Sequence, residues 1–323
     1  MKRLYRWLGA AFACAVIAPT TAAAVTSRTY FVAAEDVTWD FAPSGQNLVH
    51  GGPIPEPFET VWQKTRYIEY TDASFRTKKP QPAWLGILGP IIRAEVGDTI
   101  KVNFLNRSSK PVGIHPHGVR YDKDNEGAHY LPHGAGASIE PGDSFVYTWK
   151  ADDDSGPGPL DPSSIVWWYH AHVDEPRDTN SGLVGALIIT RRGMARPDGS
   201  PRNVDKEFVV DFQIFNEADG EERGMIHGLN GRIFGNLTGL EMSNGDHVRW
   251  HLLGMGNEVD LHSPHWHGKT VLTNRARTDV VELLPASMVT ADMVADNPGT
   301  WMFHCHVADH LDAGMMTTYK INP

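Results

Sequence analysis

The chain has 323 residues and a formal net charge of −10, with 41% hydrophobic and 21% charged residues. That is enough chain for one large or two modest domains, each with a proper core. The acidic balance argues against nucleic acid as a partner.

Lys2, Arg3 and Arg6 lead into an apolar run ending near Pro19, followed by the small residues Thr21 to Ala24. This pattern predicts a cleaved signal peptide over residues 1–24, and so an exported protein, periplasmic or secreted. A retained anchor is the alternative, but the run is short for a membrane span, and no later segment approaches the roughly 18–20 uninterrupted apolar residues one needs. Cleavage would remove three positive charges, moving the net charge from −10 to −13, and would take Cys14 with it. Cys305 would then be alone in an oxidising compartment where disulfides are usual, and metal ligation is one reason for a lone exported thiol.

From Thr29 onward, short runs of Val, Ile, Thr and aromatic residues alternate with Gly, Pro and Asp, the pattern of an all-β sandwich. The chain also repeats itself. Gly97-Asp98-Thr99 opens an apolar strand running toward His115, and Gly245-Asp246-His247 opens another running toward His262. Trp167-Trp168-Tyr169-His170-Ala171-His172 has its counterpart in Trp301-Met302-Phe303-His304-Cys305-His306, and each half reaches a glycine, Gly182 or Gly314, before a last strand. Two homologous β domains are expected, at 25–195 and 206–323. The polar, Gly-, Pro- and Arg-rich stretch from Arg191 to Asp205 joins them. Helical pattern is scarce, with the segment after His306 the best local candidate.

Ten of the sixteen histidines fall into four clusters: 115/117, 170/172, 262/265/267 and 304/306/310. A His-X-His pair on a strand sends both imidazoles to one face, because side chains alternate with period two. Four such pairs, 115/117, 170/172, 265/267 and 304/306, supply eight neutral nitrogen donors suited to copper, zinc, iron or nickel. One pair alone would be read as structural; four at corresponding positions of two repeats point to metal. Cys305, between His304 and His306, must face the other way and serve a different ion. His262 has opposite parity to His265 and His267, while His310 and Met315 follow Cys305 closely. Two histidines, a cysteine and a weak methionine are the donors of a blue-copper electron-transfer site. An electron received at Cys305 could then pass through its backbone into His304 or His306, linking two spatially separate metal sets.

With these motifs in view, the sequence resembles the multicopper oxidases, especially ceruloplasmin and its relatives, which include the coagulation-factor A domains. The stretches that carry the resemblance are LGPIIRAEVGDTIKVNF, IHPHGVRYDKDNEGA, PSSIVWWYHAHVDEPRDTNSGL, GLNGRIFGNLTGL, GMGNEVDLHSPHWHG and HCHVADHLDAGM, which span most of residues 80–320. The resemblance implies two tandem cupredoxin-like Greek-key domains and four copper ions. By motif position, His262, Cys305, His310 and axial Met315 would hold type 1 copper, and His115 and His265 type 2. The type 3 pair would be held by His117, His170 and His306 on one ion and by His172, His267 and His304 on the other. The first domain has Ala171 and Val112 where the second has Cys305 and His262, so it would lack a type 1 site. This arrangement resembles the two-domain small laccases, homotrimers in which the first domain of one chain faces the second of the next. A monomer closing the cluster internally is the competing arrangement.

Reducing dioxygen to water consumes protons, so acids are expected near the cluster. The resemblance offers Glu126, Asp309 and Tyr121 as proton-relay or cluster-side residues. It also aligns Glu222, His227 and Asp309, with Glu258 from a neighbouring domain, to a ceruloplasmin iron site, implying ferrous iron as the reducing substrate. A phenol or aromatic amine is the laccase-like alternative, with the same coppers. A copper nitrite reductase would carry type 1 copper in the first domain, and a non-catalytic cupredoxin module would have an incomplete ligand set.

Overall fold

A computed structural model describes residues 26–256 and 259–323. The expected signal peptide, Cys14 and Glu258 lie outside the described residues.

The first half contains β1 (Ser27–Asp40), β2 (Val61–Tyr70), β3 (Ile92–Glu95), β4 (Thr99–Arg107), β5 (His115–Pro116), β6 (Ser144–Lys150), β7 (Ser164–His170), helix α1 (Glu175–Ser181) and β8 (Val184–Thr190). These form two four-stranded sheets, ordered β2-β1-β4-β6 and β3-β8-β7-β5. The second half contains β9 (Lys206–Asn216), β10 (Met225–Leu229), β11 (Glu241–Ser243), β12 (His247–Gly254), β13 (Pro264–Trp266), β14 (Val271–Thr273), β15 (Ala276–Thr278), β16 (Met288–Val294), β17 (Gly299–Cys305), helix α2 (Ala308–Asp312) and β18 (Met316–Asn322). Its sheets run β10-β9-β12-β16-β14-β15 and β11-β18-β17-β13.

The repeat read from sequence is a repeat of topology. β1 runs parallel to β4, which pairs antiparallel with β6; β9 runs parallel to β12, which pairs antiparallel with β16. The other sheets match in the same way, with β8-β7-β5 corresponding to β18-β17-β13. Alternation explains the sheet facing solvent: in β4, Ile100, Val102 and Phe104 are buried while Lys101 is exposed. By contrast β8 is buried at all seven positions. Leu187 and Ile189 enter the first core, while Val184, Ala186 and Ile188 point the other way into a cluster shared with Val209, Leu253 and Met255 of the second half.

That shared apolar layer is reinforced by polar bonds between the halves. Arg93 bonds Glu207 at 2.7 Å, and Arg249, almost fully buried, bonds the hydroxyls of Ser163 and Ser164 at 2.8 Å each. Lys64, also buried, pairs with Glu217.

A helix after His306 is present as α2. The structure adds α1 at the corresponding place in the first half, which the sequence reading did not anticipate. Seven residues are too few to show a helical period. Its local signals are Pro176 near the start, where the missing N–H costs nothing, and Gly182 closing the end at φ +106°.

Candidate metal centres

Each half assembles four histidines in the same way. His115 of β5 stands opposite His170 of β7, and His265 of β13 stands opposite His304 of β17. Because each partner is followed two residues later by another histidine on the same face, four imidazoles converge. His115 has ring centroids 5.3 Å from His117 and His172 and 5.5 Å from His170; His265 lies 5.0 Å from His267, 5.3 Å from His304 and 5.4 Å from His306. A glycine follows each leading pair because an aromatic ring occupies the place of its side chain. A Cβ on Gly118 would fall 2.0 Å from Trp167, and one on Gly268 2.8 Å from Trp301.

The hydrogen bonds fix which nitrogen is left over. The Nδ1 atoms of His115, His170, His265 and His304 lie 2.7, 3.0, 2.9 and 2.7 Å from the carbonyl oxygens of Glu126, Ala171, Asp279 and Cys305. Nδ1–H therefore donates to a carbonyl and Nε2 carries the lone pair, the usual orientation of a metal-ligating histidine. The Nε2 atoms of His117 and His170 come within 3.0 Å, and those of His267 and His304 within 3.1 Å. Burial, with help from neighbouring imidazoles, holds His117 and His170 down at about 4, so they are neutral donors at ordinary pH.

Cys305 faces away from these rings, as its parity requires. It is fully buried and unpaired, and its Sγ lies 3.6 Å from His310 Nδ1 and 3.9 Å from His262 Nδ1, the two nitrogens being 3.2 Å apart. Here Nδ1 rather than Nε2 points inward, because Asp260 engages His262 Nε2 at 3.2 Å. Ser263 N–H donates to the sulfur at 3.3 Å, a bond that would withdraw charge from a thiolate. Met315 is fully buried, and its backbone carbonyl accepts from Cys305 N–H at 3.0 Å. Two imidazoles and a soft sulfur within one buried site fit copper, and so do the two histidine sets, in each of which three imidazoles, His115, His117 and His170 or His265, His267 and His304, bring a nitrogen within reach of one ion.

In the first half the backbone is the same and the donors are absent. Ala171 N–H bonds Leu183 O at 3.0 Å as Cys305 bonds Met315, and Val112 exchanges backbone bonds with Ile139 as His262 does with Leu283. Val112, Ala171 and Leu183, all fully buried, fill the place with hydrocarbon.

Among the described residues, the two half-clusters make no close ring contact with each other, and every close histidine contact in these clusters lies within one half.

The other expected site residues fall in three places. Glu126 gives its backbone oxygen to His115, while its carboxylate pairs with Lys123 and accepts from Tyr130 at 2.7 Å; these partners outweigh burial and hold it below the usual carboxylate range. Tyr121 lies beside it, 6.0 Å from the His115 ring. Asp309, exposed on α2, acts electrostatically on His227, His310 and Cys305. The ring of His227 on β10 lies 5.0 Å from that of His310, tilted against it, is held at about 4 by burial and by that neighbour, and has an Nδ1 with no hydrogen-bond partner among the described residues. Glu222 is exposed on the turn before β10, with no contact to His227 seen among the described residues.

Sequence reasoning missed Asp260, two residues before His262, and Glu175, three residues after His172. The Glu175 carboxylate lies 3.1 Å from His172 Nε2 and 4.0 Å from His170 Nε2. Both were visible as acids flanking a histidine motif, but nothing in their spacing distinguished them from surface charges.

Two multicopper oxidase family profiles match the chain, at residues 68–193 and 203–323. It is 38% identical to mouse (Mus musculus) ferroxidase HEPHL1 and 37% to human (Homo sapiens) hephaestin, each alignment covering 91% of this chain and 29% of the relative. It is 37% identical to sheep (Ovis aries) ceruloplasmin over 83% of this chain and 28% of that protein. The chain thus spans under a third of the length of these relatives. Among solved structures, the multicopper oxidase mgLAC superposes with a TM-score of 0.67 at 23% identity, covering 92% of this chain and 86% of that one. The blue copper oxidase from Nitrosomonas europaea gives 0.64 at 22%, covering 91% and 86%. These neighbours share the tandem cupredoxin-like fold found here. The profiles, the relatives and the donor sets agree, and the chain belongs to the multicopper oxidase family, whose members hold copper.

Proposed function

We propose that the protein is an oxidase that takes single electrons from a reducing substrate at Cys305 and delivers four of them to dioxygen at the eight-histidine set, giving water. The observation that carries this reading is the arrangement on β17. Cys305 lies among His262 and His310, while His304 beside it in the chain converges with His265 and His267. Copper, when bound, would supply the one-electron chemistry at the first set and the dioxygen chemistry at the second. The chain's own contribution is to hold each imidazole by its second nitrogen, to exclude water from the thiolate, and to connect the two sets through the peptide of Cys305. His262, Cys305, His310 and Met315 form the type 1 set in this reading, with His115 and His265 for type 2 and the remaining six cluster histidines for type 3, four ions in all.

Each half supplies four of the eight histidines, and among the described residues the two histidine sets make no close contact with each other, so the reading includes a head-to-tail homotrimer, a closed ring in which each interface completes one cluster. Export after signal-peptide cleavage belongs to the same reading.

Ferrous iron is the favoured substrate. His227, with its unengaged buried nitrogen, and the exposed Asp309 lie beside the Cys305 site, and an imidazole with oxygen donors suits ferrous iron. Glu222 and Glu258 would complete the set. The relatives named ferroxidase support the same choice. A specific observation favours a phenolic substrate instead: Leu261 and Leu284, beside His262 and its bridge partner Leu283, are 51% and 59% exposed and make an apolar rim. Comparing kcat/KM for ferrous iron and a phenol in wild type and Glu222→Ala separates them. Iron as substrate predicts a selective fall with iron; unchanged turnover of both substrates would remove the iron site. Whether Asp309 serves iron or a proton relay is read from its Asn variant, since a relay would slow both substrates alike.

A further inference from the structure

The loop between β5 and β6 carries two imidazoles outside both half-clusters. His129 and His133 are exposed, with ring centroids 5.2 Å apart and planes inclined at 35°. Neither ring has a hydrogen-bond partner among the described residues, so their nitrogens are open to a ligand. The loop that presents them is fastened to the first half-cluster. His129 N–H donates to the His172 carbonyl at 3.2 Å, and Ala128 bridges the same residue. In the same loop, Tyr130 donates to Glu126 at 2.7 Å, and the Lys123 ammonium sits 3.7 Å from the centroid of its ring.

We propose that His129 and His133 form a two-imidazole site for Cu²⁺ that takes the ion from solution and passes it to the adjacent half-cluster. Two imidazoles at this spacing can share one ion at about 2 Å from each nitrogen. Among divalent first-row ions, imidazole donors bind Cu²⁺ most tightly. The acidic chain, at −10, raises the local concentration of cations. With two protein ligands the remaining positions stay with water, so the ion can leave again. The half-cluster offers Glu175 as an accessible donor at its edge, with a side chain 45% exposed and a carboxylate 3.1 Å from His172 Nε2. The transfer exchanges ligands on one ion, with no change of oxidation state. The delivery role rests on the copper reading above; the binding site itself does not.

The test uses the copper-loaded full-length protein and its His129→Asn/His133→Asn variant, both dialysed against Cu²⁺, followed by loading of the metal-free proteins at limiting copper. Wild type is expected to bind one further exchangeable Cu²⁺ per chain and the variant none, with loading several-fold slower in the variant and the same final copper content. Equal uptake in dialysis would overturn the site, and equal loading rates would overturn its delivery role. A non-exchangeable content below four per chain in both copper-loaded proteins, measured before the limiting-copper step, would count against the cluster reading alone, because the dialysis comparison still decides the surface site.

Discussion

Replacing Arg249 by methionine should loosen the joint that fixes the two halves of the chain. The guanidinium is 1% exposed, bonds both carboxylate oxygens of Asp292 at 2.7 and 2.8 Å, and reaches across to the hydroxyls of Ser163 and Ser164. Methionine fills much of the volume but takes the guanidinium from a carboxylate left, among the described residues, with only His247 at 3.4 Å, and from the Ser163 and Ser164 hydroxyls, and breaking a buried pair from one side costs about 3–5 kcal/mol. At the size of this chain, that loss lowers the melting midpoint by roughly 5–8 °C. Arg249→Met/Asp292→Leu should recover most of it, since an apolar replacement of both partners is close to neutral. The effect has a pH signature. Burial alone would raise the Asp292 pKa, but Arg249 and His247 outweigh it and hold it at about 2. A depressed carboxylate stabilises the fold above its ordinary range, and that stability is lost as pH falls through about 2, so the gap between wild type and Arg249→Met should shrink by about 2 kcal/mol between about pH 5 and 2. Urea unfolding of the metal-free proteins across that range measures it. A single variant as stable as wild type, or a gap that does not change with pH, would refute the reasoning.

Three further outcomes are expected. Cys305→Ser should abolish the intense visible absorption of a copper–thiolate site and electron uptake with it, while copper at the histidine set remains detectable by spin resonance. Asp260→Asn should weaken copper retention at His262 by about 10–100-fold, measured by competition with a chelator, because the carboxylate orients that ring through Nε2. In the metal-free protein, His117 and His170 have pKa values depressed to about 4, so the stability they lend is present above the ordinary imidazole value and lost as pH falls from about 6.5 through 4. The urea midpoint should therefore drop between pH 7 and 5, and loading with copper should suppress the drop.

The period-two parity of His304, Cys305 and His306 was enough to separate two metal sets before any coordinates, because a strand leaves its side chains no other choice of face. The duplicated topology was legible for a related reason: Gly-Asp turns and the WWYHAH/WMFHCH strands mark equivalent positions of both halves. What sequence concealed is interaction across the fold. The bond from Asp260 to His262 reverses which imidazole nitrogen faces the sulfur, and no spacing rule announces it. Helix α1 is too short to show a period, and the layer joining Val184, Ala186 and Ile188 to Val209 appears in sequence only as unbroken apolar runs. The placement of the two histidine sets in the fold is equally invisible, since no spacing within either repeat fixes how one half packs on the other.

That placement is tested most directly by complementation. His115→Ala damages only the first half of the cluster and His265→Ala only the second, so each variant alone should consume no oxygen. Co-expressed in equal amounts, a head-to-tail trimer places an intact first half against an intact second half at about one interface in four, and roughly a quarter of wild-type turnover should return. If every chain instead closed its own cluster, each would carry a lesion, and a mixture as inactive as its components would contradict the account.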